Sequence, residues 1–146
     1  MNKSESPSSV FFNASVILTG LASPSGGSAK LLNMVKDSKL KGIISEVILD
    51  EVVRRAEKVG LTPDFANKAS VIIFKNIMIP PDVTSVDLYS KIVIDKGDCH
   101  VLASAMEAKV EFLVSLDRKH ILSLKNKIKK YRIVSPKELI EFTAGF

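Results

Sequence analysis

The sequence holds a single cysteine, Cys99, among its 146 residues. An internal disulfide is therefore excluded, and the residue suits a reducing cytosol, most simply as a small apolar position in a helix. No stretch reaches the roughly 20 consecutive apolar residues of a membrane span. Near the start, VFFNASVILTGLAS ends in small residues as a signal peptide would. The polar SESPSS segment with Glu5 separates it from Lys3, however, and Asn13 interrupts it. These absences point to a soluble, cytoplasmic protein with no membrane association. Zinc is also disfavoured. Asp98, Cys99 and His100 lie too close along one helix to converge on an ion, and no second Cys or His cluster joins them or His120. No phosphate-binding glycine loop is present: SPSGGSAK has a lysine but lacks the spacing. There is no internal repeat or linker.

What remains is an ordinary globular composition, 46% hydrophobic and 25% charged. A chain of this length makes one domain that buries roughly 68 to 70% of its unfolded surface. We read residues 1–9 as a mobile polar tail and residues 10–146 as the domain. The net charge of +5 permits a polyanionic partner such as nucleic acid. Basic residues are densest from Arg118 to Arg132, where Lys119, Lys125, Lys127, Lys129 and Lys130 stand without an acid among them. A solvated lysine-rich face is the competing explanation.

The most informative stretch is DKGDCHVLASAMEAKVEFLVSLDRKHIL, Asp95 to Leu122, which reads as helix, strand, then helix. Gly97 breaks the chain before Asp98. Val101, Leu102, Ala105, Met106 and Ala108 then recur at helical spacing. Phe112 to Leu116 is a short, nearly continuous apolar run, as expected of a strand buried on both faces of a parallel sheet. Asp117 follows it. One carboxylate thus opens a helix and another ends a buried strand, where open parallel sheets place their sites. Each acid alone is equally explained as a cap or turn residue contributing a few tenths to about 1 kcal/mol.

Upstream, Val10 to Phe12 begins a first strand that ends at Asn13, followed by a loop, SPSGGS, read as non-helical. Ala29 to Val35 has helical spacing and Gly42 stops it; Ile43 and Ile44 form a second strand. Ser45 caps a helix from Glu46 to Val59 that Gly60 terminates, with Ile48, Leu49, Val52, Val53, Ala56 and Val59 as its apolar stripe. Glu51 lies about 60° from Ile48 on the margin of that stripe, so it can look into a cleft. It also has i to i+4 spacing to Arg55, which suits a surface ion pair. Pro63 opens a helix running to Phe74, Ile77 to Ile79 is a short apolar run stopped by Pro80 and Pro81, and Asp82 to Ile94 resists assignment. Tyr131 to Val134 is a last strand, and Pro136 starts a terminal helix with Leu139, Ile140 and Phe142 as apolar contacts. Alternating strands and helices imply a three-layer α/β fold with a largely parallel sheet.

Four segments, in order, carry a resemblance: VFFNASVIL, ISEVILDEVVRR, the Asp95 to Leu122 stretch, and YRIVSPKELIEF. Together they resemble the PIN-domain family, metal-dependent ribonucleases that include the toxins of VapBC-type toxin-antitoxin pairs. The likeness covers nearly all of the chain after residue 9. It implies acids at positions 13, 51, 98 and 117, with Asp95 auxiliary, and a fold of α/β/α type. It also implies Mg2+ or Mn2+ as cofactor, RNA as substrate, a homodimer, and an antitoxin protein as partner. Glu51, Asp98 and Asp117 would hold the ion, with Asn13 in the fourth place. Ser15 and Ser115 would support the acids, and Arg55, Arg118 and Lys119 would bind the phosphate backbone.

Clustered carboxylates raise one another's pKa unless a cation holds them ionised, and hard oxygen donors suit such ions. The chain departs from the pattern at Asn13, where the family has aspartate. The amide oxygen can still accept a metal bond, but a formal charge is missing. Three explanations stay open: a natural variant with weaker metal binding, an inactive relative that binds RNA or protein, or a substitution introduced to silence the site. A receiver-type fold also gathers acids at strand ends, but its phosphoacceptor pattern is absent.

Overall fold

The computed structural model describes residues 6–144. Five strands form one all-parallel sheet: β1 (Ser8–Phe12), β2 (Leu40–Ser45), β3 (Asn76–Met78), β4 (Phe112–Val114) and β5 (Arg132–Val134). Their order is β3-β2-β1-β4-β5. Val10, Phe11 and Phe12 are each fully buried although successive side chains point to opposite faces, so both faces of β1 are covered. Seven helices among the described residues supply the cover: α1 (Ala14–Ala22), α2 (Gly27–Lys36), α3 (Glu46–Arg55), α4 (Pro63–Ile73), α5 (Val83–Tyr89), α6 (Lys96–Glu107) and α7 (Pro136–Thr143). Helices α1 to α4 pack on one another and α7 joins them through α2, while α5 packs on α6. The expected three-layer α/β architecture is the observed one.

The strand order places a topological switch at the centre. From β1 the chain runs outward through β2 to β3, then returns to the opposite side of β1 as β4 and β5. The loops leaving β1 and β4 therefore diverge, and a crevice opens between their carboxyl ends. Asn13 ends β1 and continues the ladder, its N–H donating to Val114 O at 3.1 Å.

Several element boundaries differ from the sequence reading. Strand β1 starts at Ser8, so the polar tail is shorter than nine residues; residues 1–5 lie outside the described residues. Residues 14–22 form a helix, and Gly27 and Ser28 of the supposed loop belong to α2. Gly42 lies inside β2, so it is not a stop. Helix α3 ends at Arg55 and a 3₁₀ turn, Ala56–Val59, completes it. Gly60 closes that turn in the left-handed region at φ 81°. Val59 is exposed, so it lies outside the stripe. Part of the unassigned segment is α5.

Helix α6 opens at Asp95, which accepts the Asp98 N–H, so Gly97 sits in its first turn. Strand β4 ends at Val114, two residues before the expected Leu116. After Asp117 the chain makes turns and one 3₁₀ turn, Leu122–Leu124, where a helix was expected. Buried Ile121, Leu124 and Ile128 pin this segment to the core, which leaves Lys127, Lys129 and Lys130 exposed. Lys125 is held by Glu138, whose pKa is lowered chiefly by that hydrogen bond and also by the Ser135 capping box. Of the terminal helix's contacts, Phe142 is largely exposed but stacks edge-on against Phe112, with the Arg132 guanidinium 4.3 Å from its ring centroid.

Candidate active site

One cavity of about 420 Å³ lies at the switch point. Asn13 and Ser15 reach it from the β1 to α1 junction, Glu51 and Arg55 from α3, Asp95 and Asp98 from the start of α6, and Asp117 and His120 from the loop after β4. The sequence-derived residues Asn13, Glu51, Asp95, Asp98 and Asp117 are thus brought to a single concavity. Arg118 and Lys119 are exposed beside it without lining it. Ser115 lies beneath it, fully buried.

Local hydrogen bonds fix the floor. Asn13 caps α1, its Oδ1 accepting the Ala14 N–H at 2.8 Å. Its Nδ2 donates to Ser115 Oγ at 2.9 Å, and Ser115 Oγ also accepts the Asp117 N–H at 3.0 Å. Ser15 Oγ accepts the Leu116 N–H at 3.3 Å. The two serines therefore tie the ends of β1 and β4 together. Replacing Ser115 with Ala removes the acceptor shared by the buried Asn13 amide and the part-buried Asp117 N–H, at a cost of about 1–3 kcal/mol. Thermal unfolding of Ser115→Ala is expected to shift downward accordingly; an unchanged midpoint would show that the Asn13 and Asp117 N–H groups find other acceptors.

The acids are not equivalent. Burial raises the Asp98 pKa above the ordinary carboxylate value, and the charges of Asp95, Asp117 and Glu51 push it further up against a smaller opposing effect of His120. Glu51 pairs with Arg55 at 2.9 Å, so the i to i+4 ion pair and the cleft-facing position are both realised by the same side chain. Asp117 Oδ1 accepts the His120 N–H at 3.0 Å and its Oδ2 lies 3.3 Å from His120 Nδ1. The sequence reading dismissed His120 with zinc and so missed it as a cavity residue. The signal available was its place three residues after Asp117, the spacing of an aspartate-capped turn. Cys99 is buried, with its thiol pKa raised mainly by that burial, and its Sγ faces Val93 O at 3.7 Å. It fills core space, as expected of a small apolar helix position.

A PIN-domain family model matches residues 9–119, which spans β1 to the loop beyond β4 and includes every cavity residue except His120. The chain belongs to the PIN-domain family. No curated protein matches it. PIN domains are assigned as nucleases and typically use divalent metals. In this PIN domain the donor chemistry fits such an ion: four carboxylates, Glu51, Asp95, Asp98 and Asp117, share one cavity, and the repulsion that Asp98 feels from the other three is of the kind a cation relieves. Among the described residues, however, no three His, Cys, Asp or Glu side chains are gathered tightly enough to grip an ion. Arg55 instead acts as an internal counter-charge to Glu51, while the His120 N–H donates to Asp117 and its ring lies against the same carboxylate. Among the described residues no helix is long and apolar enough to cross a membrane.

Proposed function

We propose that this PIN domain is a divalent-metal-dependent endoribonuclease. The observation that carries the reading is the convergence of Glu51, Asp95, Asp98 and Asp117 on one cavity beyond the carboxyl ends of β1 and β4. Glu51, Asp98 and Asp117 would hold Mg2+ or Mn2+, with Asp95 beside them. The ion would supply the charge that polarises a phosphodiester and acidifies water. The chain's own residues do the positioning. Ser115 and Ser15 hold the two strand ends at fixed separation, so the acids are presented from a rigid floor. Arg55, freed from Glu51, is placed to meet a phosphate oxygen, and Arg118 and Lys119 extend positive charge past the rim. We extend the reading to the toxin of a toxin-antitoxin pair, acting as a homodimer, on the likeness of the four sequence segments.

The experiment is cleavage of labelled RNA with Mg2+ or Mn2+, with and without EDTA, by this chain and by Asn13→Asp. Metal-dependent cutting by either is the expected result; the absence of cutting by both overturns the reading. A non-catalytic module that binds RNA is the second reading. It is favoured by one specific observation, the engagement of Glu51 and Asp117 by Arg55 and His120 in place of a closed ligand cluster. It predicts RNA binding that weakens with salt and no cleavage.

A further inference from the structure

Asn13 has two ends of opposite polarity, and the fold decides which end faces where. The Ala14 N–H, first in α1, needs an acceptor, and only the amide oxygen can serve, at 2.8 Å. That leaves the nitrogen on the side of Ser115, to which it donates at 2.9 Å. Ser115 Oγ is an acceptor here twice over, since the Asp117 N–H also points to it. The amide nitrogen carries two hydrogens and Ser115 takes one. Among the described residues no acceptor takes the other, while the side chain lines the acidic cavity. An aspartate in this place would offer an oxygen to the cavity; the amide, oriented by the helix it caps, offers a donor.

Resting on the nuclease reading of this cavity, we infer that Asn13 is a substrate-binding residue that donates a hydrogen bond to a phosphate oxygen of the nucleic acid and does not ligate the cation. An N–H2 group has no lone pair for a metal and carries positive partial charge, so it repels the ion that the neighbouring acids attract. The same group suits an anionic oxygen, and hydrogen bonds to charged groups are the stronger kind. The corner of the cavity at the end of β1 thereby changes from cation-seeking to anion-seeking. Glu51, Asp98 and Asp117, carried by α3, α6 and the loop after β4, would hold the ion.

The test separates the two ligands and needs no turnover. Mn2+ binding is measured by calorimetry, and a short fluorescein-labelled oligouridylate is titrated in EDTA by anisotropy, for the parent chain, Asn13→Ser and Asn13→Asp. Serine retains an oxygen that can cap the helix, so Asn13→Ser tests the amide without removing the cap; equal thermal midpoints check this. Asn13→Ser is expected to leave Mn2+ affinity within about twofold and to weaken oligouridylate binding about tenfold, the size of one charge-assisted hydrogen bond. Asn13→Asp is expected to tighten Mn2+ about tenfold or more and to weaken the oligonucleotide further through like charge. A tenfold loss of Mn2+ affinity in Asn13→Ser overturns the inference, because the amide oxygen would then be a ligand. Unchanged oligouridylate binding in Asn13→Ser overturns it as well. Absence of cleavage by every form, with the binding pattern as expected, overturns the nuclease reading alone and leaves the donor role in place.

Discussion

Asp98→Asn is expected to abolish metal-dependent RNA cleavage, by at least about a hundredfold, without destabilising the fold. The first half follows from position. Asp98 stands in the first turn of α6 and lines the same cavity as Asp117 and Glu51, whose charges it feels, so on the nuclease reading its carboxylate would be a donor to the ion. Loss of one fixed charge-stabilising group in a site of this kind costs about 10² to 10³ in rate. The second half follows from the raised pKa. Burial, then the charges of Asp95, Asp117 and Glu51, lift the folded-state pKa above the ordinary value of 3.8. A carboxyl whose folded pKa is raised binds its proton more tightly in the native state. The stability it contributes is therefore present below the unfolded-state pKa and is lost as pH rises through the folded one. Asparagine stays neutral throughout. In EDTA at neutral pH the variant should melt at or above the parent temperature, and the two should converge in acid below the ordinary carboxylate pKa. Thermal melts at both pH values, beside the cleavage assay, decide the matter. Unchanged cleavage would sink the site assignment, and a melt lowered by several degrees at neutral pH would make Asp98 a structural residue.

Asp98 and Asp117 stood out in the sequence because each sits at a punctuation mark, one after a glycine at a helix start and one after an apolar run. Glu51 stood on the edge of a helical stripe, where spacing left a surface ion pair equally open, and the family pattern added Asn13 and Asp95. What was not legible has physical causes. Helix α1, ASVILTGLA, is apolar nearly throughout and buried at Ala14, Val16, Ile17, Leu18 and Gly20, so it has no polar face to set a period. The start of α6 was misplaced by one turn because Asp95 and Asp98 are both good caps. The side chain of Asp95 accepts the Asp98 N–H, which assigns the cap to Asp95 and leaves Gly97 inside. After Asp117 the spacing of Ile121, Leu124 and Ile128 imitates a helix, yet these residues only anchor successive turns to the core. His120 escaped because it was weighed only as a zinc ligand and not as the residue closing the turn that begins at Asp117.

Gly42→Val carries the largest expected effect on stability, and it tests why Gly42 is a strand residue and not a helix stop. Glycine after a helix reads as a stop, but here it lies within β2, paired in register with Val10. The reason is close approach. A Cβ at this position would stand 2.8 Å from both Val35 methyls and 3.0 Å from Phe74 Cε1. Val35 and Phe74 are buried members of the core, and Phe74 also meets Phe12 edge-on at 5.1 Å between ring centroids. Neither can step aside without moving α2, or the end of α4 against β1. Strand propensity favours valine over glycine by up to about 1 kcal/mol. Overpacking a filled core costs about 1–3 kcal/mol and more when side chains on two sides must shift. The overlap therefore wins, with a net loss of about 3 kcal/mol expected for valine and roughly half of that for alanine. At about 2–4 °C per kcal/mol for a domain near this size, Gly42→Val should melt roughly 6–12 °C below the parent. Because Gly42 contributes nothing to the acidic cavity, cleavage per folded molecule should be unchanged at temperatures where the variant remains native. A midpoint within about 2 °C of the parent would mean that α2 is free to move away from β2, and that the core around Val35 is looser than its burial implies.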